Sequence, residues 1–146
     1  MSVLAIRDLK MVIHSDGENL PILGGVDLAI AAGEIHGLAG ESGSGKTMTG
    51  MCVMGIQPKN STVSGQIDMD GQDLLGVSPK TLRSLRGQEM GMVFQDPSTS
   101  LHPQLKVEAQ LTDHVRHHLR LSRKAANARA AELLERVGIE NPGNAL

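Results

Sequence analysis

The sequence predicts an α/β fold, and three observations carry that prediction. Short apolar runs bounded by turn residues fill the first hundred positions. Helical periodicity takes over beyond Pro103. Between a strand candidate and a helix candidate lies a glycine-rich loop, GESGSGKT, at residues 40–47. The division this implies is a β-rich region that holds the loop, residues 1–100, followed by a helical region, residues 101–146.

Residues 3–13 are rich in β-branched and aliphatic side chains and read as a strand, and His14 to Gly17 is a turn signal. Val26 to Ile30 alternates apolar and polar, as a half-buried strand does. Ala32-Gly33-Glu34 turns the chain into a short strand, Ile35 to Ala39, which runs into the glycine-rich loop. A helix is expected over Lys46 to Met54, ended by Gly55 and Pro58. Ile67, Met69 and the pair Asp70-Gly71 predict a strand and a hairpin. Ser78 is the N-cap and Pro79 the first residue of a short helix reaching about Arg86. Met90 to Phe94 reads as a buried strand. Val107, Leu111, Val115 and Leu119 recur every four residues and fall on one helical face. A second helix follows from Ser122, with Ala126, Ala130, Leu133, Leu134 and Val137 as its apolar stripe and Gly138 as its C-cap.

Composition narrows the function classes. The 146 residues suit one domain, and a formal net charge of −2 gives no global positive field for nucleic acid. A single cysteine, Cys52, excludes an internal disulfide framework and suits a reducing compartment. No apolar run approaches the ~18 residues of a membrane span, and the N-terminal MSVLAIRDLK has no signal-peptide pattern. A soluble chain is expected, with any membrane role exercised through a partner. Phe94 is the sole aromatic residue, so the eight methionines are expected to fill core volume.

The loop at residues 40–47 matches G-x-x-x-x-G-K-[ST], the P-loop or Walker A pattern. Each residue type has a task. Gly40, Gly43 and Gly45 allow backbone angles closed to other residues and a close approach to phosphate. The N–H groups of residues 43–47 form an anion nest, and the helix starting at Lys46 adds its positive dipole end. The Lys46 ammonium can bridge the β- and γ-phosphates of ATP, and the Thr47 hydroxyl can ligate Mg²⁺. Glu41, Ser42 and Ser44 complete the binding loop. The alternative is a flexible Gly/Ser turn. At average composition the four fixed positions match by chance in roughly one chain in a few hundred, and here the strand before and the helix after supply the required context.

The segment GEIHGLAG followed by GESGSGKT resembles the Walker A region of an ABC transporter ATPase. A second anchor is MVFQDPSTSLHP, residues 92–103, which closely resembles the Q-loop segment of the importers of dipeptides, oligopeptides and nickel. Gly65-Gln66-Ile67, Asp70 to Leu74, Leu82-Arg83, Leu85-Arg86-Gly87, and Val107 with Gln110 also fit, so the resemblance runs from about Leu9 to Ile139. It implies an α/β P-loop NTPase core with an antiparallel β subdomain and the start of a helical subdomain. It also implies that Gln95 is the Q-loop glutamine, which in that family reaches Mg²⁺ and the attacking water and senses the transmembrane partner. Lys46 and Gln95 are then the catalytic candidates, and Thr47 and Gln95 the metal-facing ones.

The sequence departs from the family in two places. The family stacks an aromatic residue on adenine from the loop after the first strand. Residues 11–17 hold none, and His14 or Ile13 stands there instead. The family's signature motif, Walker B aspartate, catalytic glutamate and switch histidine do not occur in residues 1–146. The sequence is thus expected to be the N-terminal half of a nucleotide-binding domain, able to bind ATP but not to hydrolyse it competently by itself.

Three other patterns are weaker. MGMVFQD, residues 90–96, resembles a Walker B strand ending in Asp96, but Gln95 intervenes and the residues that follow fit the Q-loop. DMDGQD, residues 68–73, has its glycine too early for a calcium loop and reads as a hairpin turn. His114 and His118 lie one helical turn apart beside His117, a spacing that can chelate a metal but more often marks a solvated face, as does the basic run Arg116 to Lys124.

The function expected is that of an ATP-binding subunit energising an importer of peptides or related small solutes. Its expected partners are transmembrane permease subunits, a second ABC ATPase subunit and, indirectly, a solute-binding protein, with no nucleic acid. Its expected place is the cytoplasm, peripheral on the inner face of the cell membrane. The rival readings are a P-loop small-molecule kinase, which FQDPSTSLHP opposes, and an ABC ATPase without a transporter, which the near-neutral charge opposes.

Overall fold

The computed structural model describes residues 2–96 and 100–144. The chain divides into two units, Met1–Arg86 and Gly87–Leu146, each described by itself.

The first unit is built on a four-stranded antiparallel sheet, in the order β2-β1-β3-β4. Strand β1 covers Ser2–Ser15, β2 Glu18–Ala31, β3 Ser61–Met69 and β4 Gln72–Asp73. The β1–β2 hairpin closes at Ser15↔Glu18 around Asp16 (φ 50°) and Gly17 (φ 84°), the left-handed pair that a two-residue hairpin turn requires. Asp70 (φ 49°) and Gly71 (φ 83°) repeat the device between β3 and β4. Strand β2 starts eight residues earlier than its alternation predicts. Pro21 and Gly24-Gly25 look like breakers, yet β2 lies at the sheet edge, where a missing N–H is tolerated, and register shifts along β1–β2 absorb the irregularity.

One sheet face carries the core. Leu9, Met11 and Ile67 are fully buried, with Ile6, Leu23, Leu74 and Cys52 around them. Cys52 comes from helix α1, Lys46–Met54, whose predicted bounds hold and whose end is set by Gly55 in the left-handed region. The Cys52 thiol lies 3.7 Å from the Met11 sulfur. Helix α2, Pro79–Leu85, begins as expected, with the Ser78 hydroxyl accepting from the Thr81 N–H at 3.1 Å. Methionine fills less of the core than its abundance suggests. Met11 alone among the described methionines is buried, and Met48, Met51, Met54, Met69, Met90 and Met92 are half-buried.

Two expected strands are absent. Residues 35–39 form no ladder, Ile35 is 99% exposed and Leu38 is exposed. Of the strand expected at Met90 to Phe94, Met90 forms only an isolated bridge and residues 91–94 form no ladder, with Val93 97% exposed and Phe94 exposed. An apolar run becomes a strand only when a neighbour accepts its backbone bonds, and no described segment forms a ladder with residues 35–39 or 91–94.

The second unit contains α3, Val107–Leu119, and α4, Arg123–Arg136, followed by a short 3₁₀ turn, Pro142–Asn144. Ser122 caps α4 through the Ala125 N–H. Val137 is the C-cap of α4 in place of Gly138, which follows in the left-handed region (φ 84°). The α3 stripe is buried only in part. Val115 and Thr112 are buried, whereas Val107 and Leu119 are exposed, because a strict four-residue repeat drifts around a helix of 3.6 residues per turn. On α4 the small residues Ala126 and Ala130 are the buried ones, and Leu133 and Val137 are exposed. Among the described residues no helix is long and apolar enough to cross a membrane.

Candidate functional site

The glycine-rich loop joins the exposed segment 34–40 to α1. Gly43 (φ 83°) and Gly45 (φ 91°) both occupy the left-handed region, and the Ser44 N–H donates to the Glu41 carbonyl at 3.2 Å. Gly45 is the N-cap of α1 and has no side chain with which to cap it. The first helical bond runs from the Thr49 N–H to the Gly45 carbonyl at 2.8 Å, and the buried Thr49 hydroxyl donates to the same oxygen at 3.1 Å. The helix's leading N–H groups therefore open onto the loop, where the helix dipole favours an anion.

Space as well as dihedral angle demands glycine here. A Cβ on Gly45 would lie 2.5 Å from the Leu23 side chain, and one on Gly40 would lie 2.7 Å from the Ser44 hydroxyl. A Cβ on Gly43 would meet nothing within 4 Å. Leu23 is buried in the sheet core, so β2 fixes where α1 begins. Sequence pattern alone did not reveal this role of Leu23.

Lys46 is half-buried and folds back over its own loop. Its ammonium donates to the Gly40 carbonyl at 2.8 Å, the Glu41 carbonyl at 2.6 Å and the Ser44 hydroxyl at 3.2 Å. Thr47 is exposed at the start of α1, and Glu41, Ser42 and Ser44 line the exposed side of the turn. The structure thus brings Gly40 to Thr47 together. The donor set suits a polyphosphate: an ammonium, uncapped helical N–H groups, the hydroxyls of Ser42, Ser44 and Thr47, and a loop interior that a side chain at position 40 would fill.

His14, next to last in β1, has both ring nitrogens engaged, Nδ1 with Asn19 Oδ1 and Nε2 with Thr62 Oγ1, each at 2.7 Å. Its backbone is held as well, by the Asn60 carbonyl and side-chain amide. Near the loop, the Glu34 carboxylate accepts from the Ala31 N–H and pairs with His36, and both hold its pKa below the usual value. Burial pushes the Cys52 thiol up.

Gln95 belongs to the second unit and is exposed in a bend. The expected Q-loop continues through Pro97, Ser98 and Thr99, which lie outside the described residues. Downstream, Gln110 clasps residues 102–105: its side chain accepts from the His102 N–H at 2.6 Å and donates to the His102 and Leu105 carbonyls. Glu108 links the two helices, accepting both Arg123 bonds at 3.0 Å and the Asn127 amide at 2.7 Å. Asn127, then Arg123, holds the Glu108 carboxyl below its usual pKa. No periodicity in the sequence announces this link, because residues 108, 123 and 127 meet only when α3 and α4 pack.

The weaker patterns resolve simply. Asp68 to Asp73 is a hairpin turn, with Asp68 accepting from the Gly71 N–H and Asp73 from Leu75. Among the described residues no three histidines, cysteines or carboxylates gather as a metal would need, so His114 and His118 stand on α3 with a T-shaped ring contact between His117 and His118.

Comparison with known proteins agrees with the loop. The sequence model of the ABC transporter family matches residues 23–145. The oligopeptide transport ATP-binding protein OppD of Bacillus subtilis (strain 168) is 39% identical over 142 residues, covering 96% of this chain and 40% of that protein. The probable D,D-dipeptide transport ATP-binding protein DdpD of Escherichia coli (strain K12) is 41% identical over 139 residues, covering 94% of this chain and 42% of that protein. The dipeptide transport ATP-binding protein DppD of Bacillus subtilis (strain 168) is 36% identical over 146 residues, 99% of this chain and 44% of that protein. The chain spans about two fifths of the length of these three relatives. With the family model matching well over half of its residues, around a loop folded as a P-loop, the chain belongs to the ABC transporter family.

Proposed function

We propose that the chain is the nucleotide-holding part of an ATP-binding subunit that energises an importer of peptides or related small solutes. The observation that carries this reading is the loop Gly40 to Thr47, with the Lys46 ammonium held across it and the uncapped end of α1 behind it. ATP with Mg²⁺ is the ligand that this donor set fits. Lys46 would neutralise charge on the β- and γ-phosphates, the N–H groups of residues 43–47 would donate to the phosphate oxygens, and the Thr47 hydroxyl would face the metal. Gln95 would supply a neutral amide to the metal and the attacking water. His14, fixed by Asn19 and Thr62, would stand where the family places its adenine-stacking aromatic.

Residues 1–100 would then hold the β subdomain, the Walker A core and the Q-loop, and residues 101–146 would begin the helical subdomain. Signature and Walker B motifs do not occur within these 146 residues. This stretch therefore supplies binding, and turnover needs groups from elsewhere. A second ATPase subunit would close over the nucleotide, and transmembrane permease subunits fed by a solute-binding protein would receive the motion at the inner face of the membrane. The relatives' transport names support this over a small-molecule kinase or an ABC ATPase without a transporter.

The test is MgATP affinity of the intact protein with Lys46→Ala. Losing charge-assisted bonds worth about 1.5–3 kcal/mol predicts affinity weaker by about ten- to hundredfold. Unchanged affinity would remove the phosphate site from this loop.

A further inference from the structure

Helix α1 carries the phosphate loop at one end, and its other end is held by a residue far along the chain. The last turn of α1 contains no basic residue. Gly55, in the left-handed region, returns its N–H to the Cys52 carbonyl, and Ile56 returns its N–H to the Met51 carbonyl. That leaves the carbonyls of Val53, Met54 and Gly55. Arg86, the C-cap residue of α2, takes the last two: Nε donates to Met54 O and a terminal guanidinium nitrogen donates to Gly55 O, each at 2.7 Å.

Little else anchors this end. Only Thr49 and Cys52 of α1 are buried. Between α1 and α2 the packing leaves a cavity of about 290 Å³, lined by Cys52, Gly55, Gln57, Leu82 and Arg86 among others, and the buried Gln57 Oε1 has no partner among the described residues. The seam also admits no side chain at position 55, where a Cβ would collide with Leu82. Arg86 therefore supplies, from a later part of the same chain, the cation that a helix C-terminus favours, in a fork geometry that satisfies two otherwise orphaned carbonyls.

We infer that Arg86 is a positioning residue for the phosphate loop. It latches the C-terminal end of α1 so that its N-terminal amides and Lys46 keep their placement. The helix is about 13 Å long, and its N-terminal end bears on Leu23 through Gly45, where a Cβ would have no room. With that contact as pivot, loosening the far end tilts the leading N–H groups. This inference rests on the phosphate-site reading above.

The test uses the intact protein with Arg86→Met, Arg86→Lys and, as a control on the same helix, Arg83→Met. Arg83 is exposed and also borders the cavity. Two quantities are read: amide hydrogen exchange along α1, and affinity for MgATP measured well below the melting midpoint of each variant. Faster exchange is expected at residues 46–49 as well as 51–55 in Arg86→Met. Nucleotide affinity should be weaker by about two- to thirtyfold, with Arg86→Lys between it and the wild type and Arg83→Met unchanged. If Arg86→Met does not fold, the same two readings on Arg86→Lys decide. Changes confined to residues 51–55, with wild-type affinity, would make Arg86 a local cap and overturn the inference alone. A wild-type protein that binds no nucleotide would overturn the phosphate-site reading and this inference with it.

Discussion

Replacing Gly45 with alanine separates two demands that the phosphate loop places on its glycines, dihedral angle and space. Gly43 and Gly45 share the left-handed region, at φ 83° and 91°. An L residue there costs about 1–2 kcal/mol at either position. Any stabilisation from a stiffer unfolded chain applies to both alike and cancels in the comparison. Only position 45 adds a collision, since its Cβ would lie 2.5 Å from a Leu23 methyl and 3.4 Å from the Ile22 carbonyl. Leu23 is 3% exposed and cannot swing into solvent, so overpacking adds about 1–3 kcal/mol. Gly45→Ala is therefore expected to cost about 2–5 kcal/mol and Gly43→Ala about 1–2. Urea denaturation reads the difference directly. At a slope of about 2 kcal/mol per molar, the two midpoints should differ by about 0.5–1.5 M. Equal midpoints would refute the claim that β2 sets the position of the loop through Leu23.

Further outcomes follow from the same geometry. Ser78→Ala removes the cap on Thr81 and should destabilise the first unit by about 1 kcal/mol, with Ser78→Asp restoring most of it, both read from urea midpoints. Glu108 has its carboxyl pKa lowered, so its stabilising link between α3 and α4 is present above the usual value of 4.5 and is lost as pH falls through the lower folded value. The melting midpoint of the wild type should thus fall more steeply than that of Glu108→Gln as pH drops below 4.5. Cys52 is 2% exposed with its thiol pKa raised, so a thiol reagent at pH 8 should label it slowly in the folded protein and rapidly in urea.

Local chemistry was legible and tertiary pairing was not. The bounds of α1, the Ser78 cap with Pro79 and the Asp70-Gly71 hairpin each depend on a few adjacent residues, and each was readable from them. The strands expected at 35–39 and 90–94 depend on a ladder partner elsewhere, which no local pattern reports. The early start of β2, through Pro21 and Gly24-Gly25, was not legible for the converse reason: being at a sheet edge is a property of the topology. At the site, the glycines and Lys46 were legible because the motif specifies them. Leu23 beneath Gly45, and Arg86 at the far end of α1, were not, because Leu23 lies 22 positions from Gly45 and Arg86 lies 31 positions from Gly55.

The arrangement of Lys46 bears on what phosphate binding must do. An ammonium has three donors, and here all three are engaged, on Gly40, Glu41 and Ser44. A phosphate oxygen must therefore replace at least one of these neutral acceptors. The ammonium is charged in both states, so the gain for each exchange is the added attraction of an anionic over a neutral acceptor. The uncapped amides of α1 share in that attraction, and in the free protein Lys46 ties the loop around them. On that reasoning Lys46→Ala loosens the loop in the free protein as well as weakening nucleotide affinity. Exchange of the amides at residues 41–45 should rise before any nucleotide is added. A loop whose exchange is indifferent to Lys46 would mean that the lysine serves the phosphate alone and that the three bonds across the loop contribute nothing to its shape.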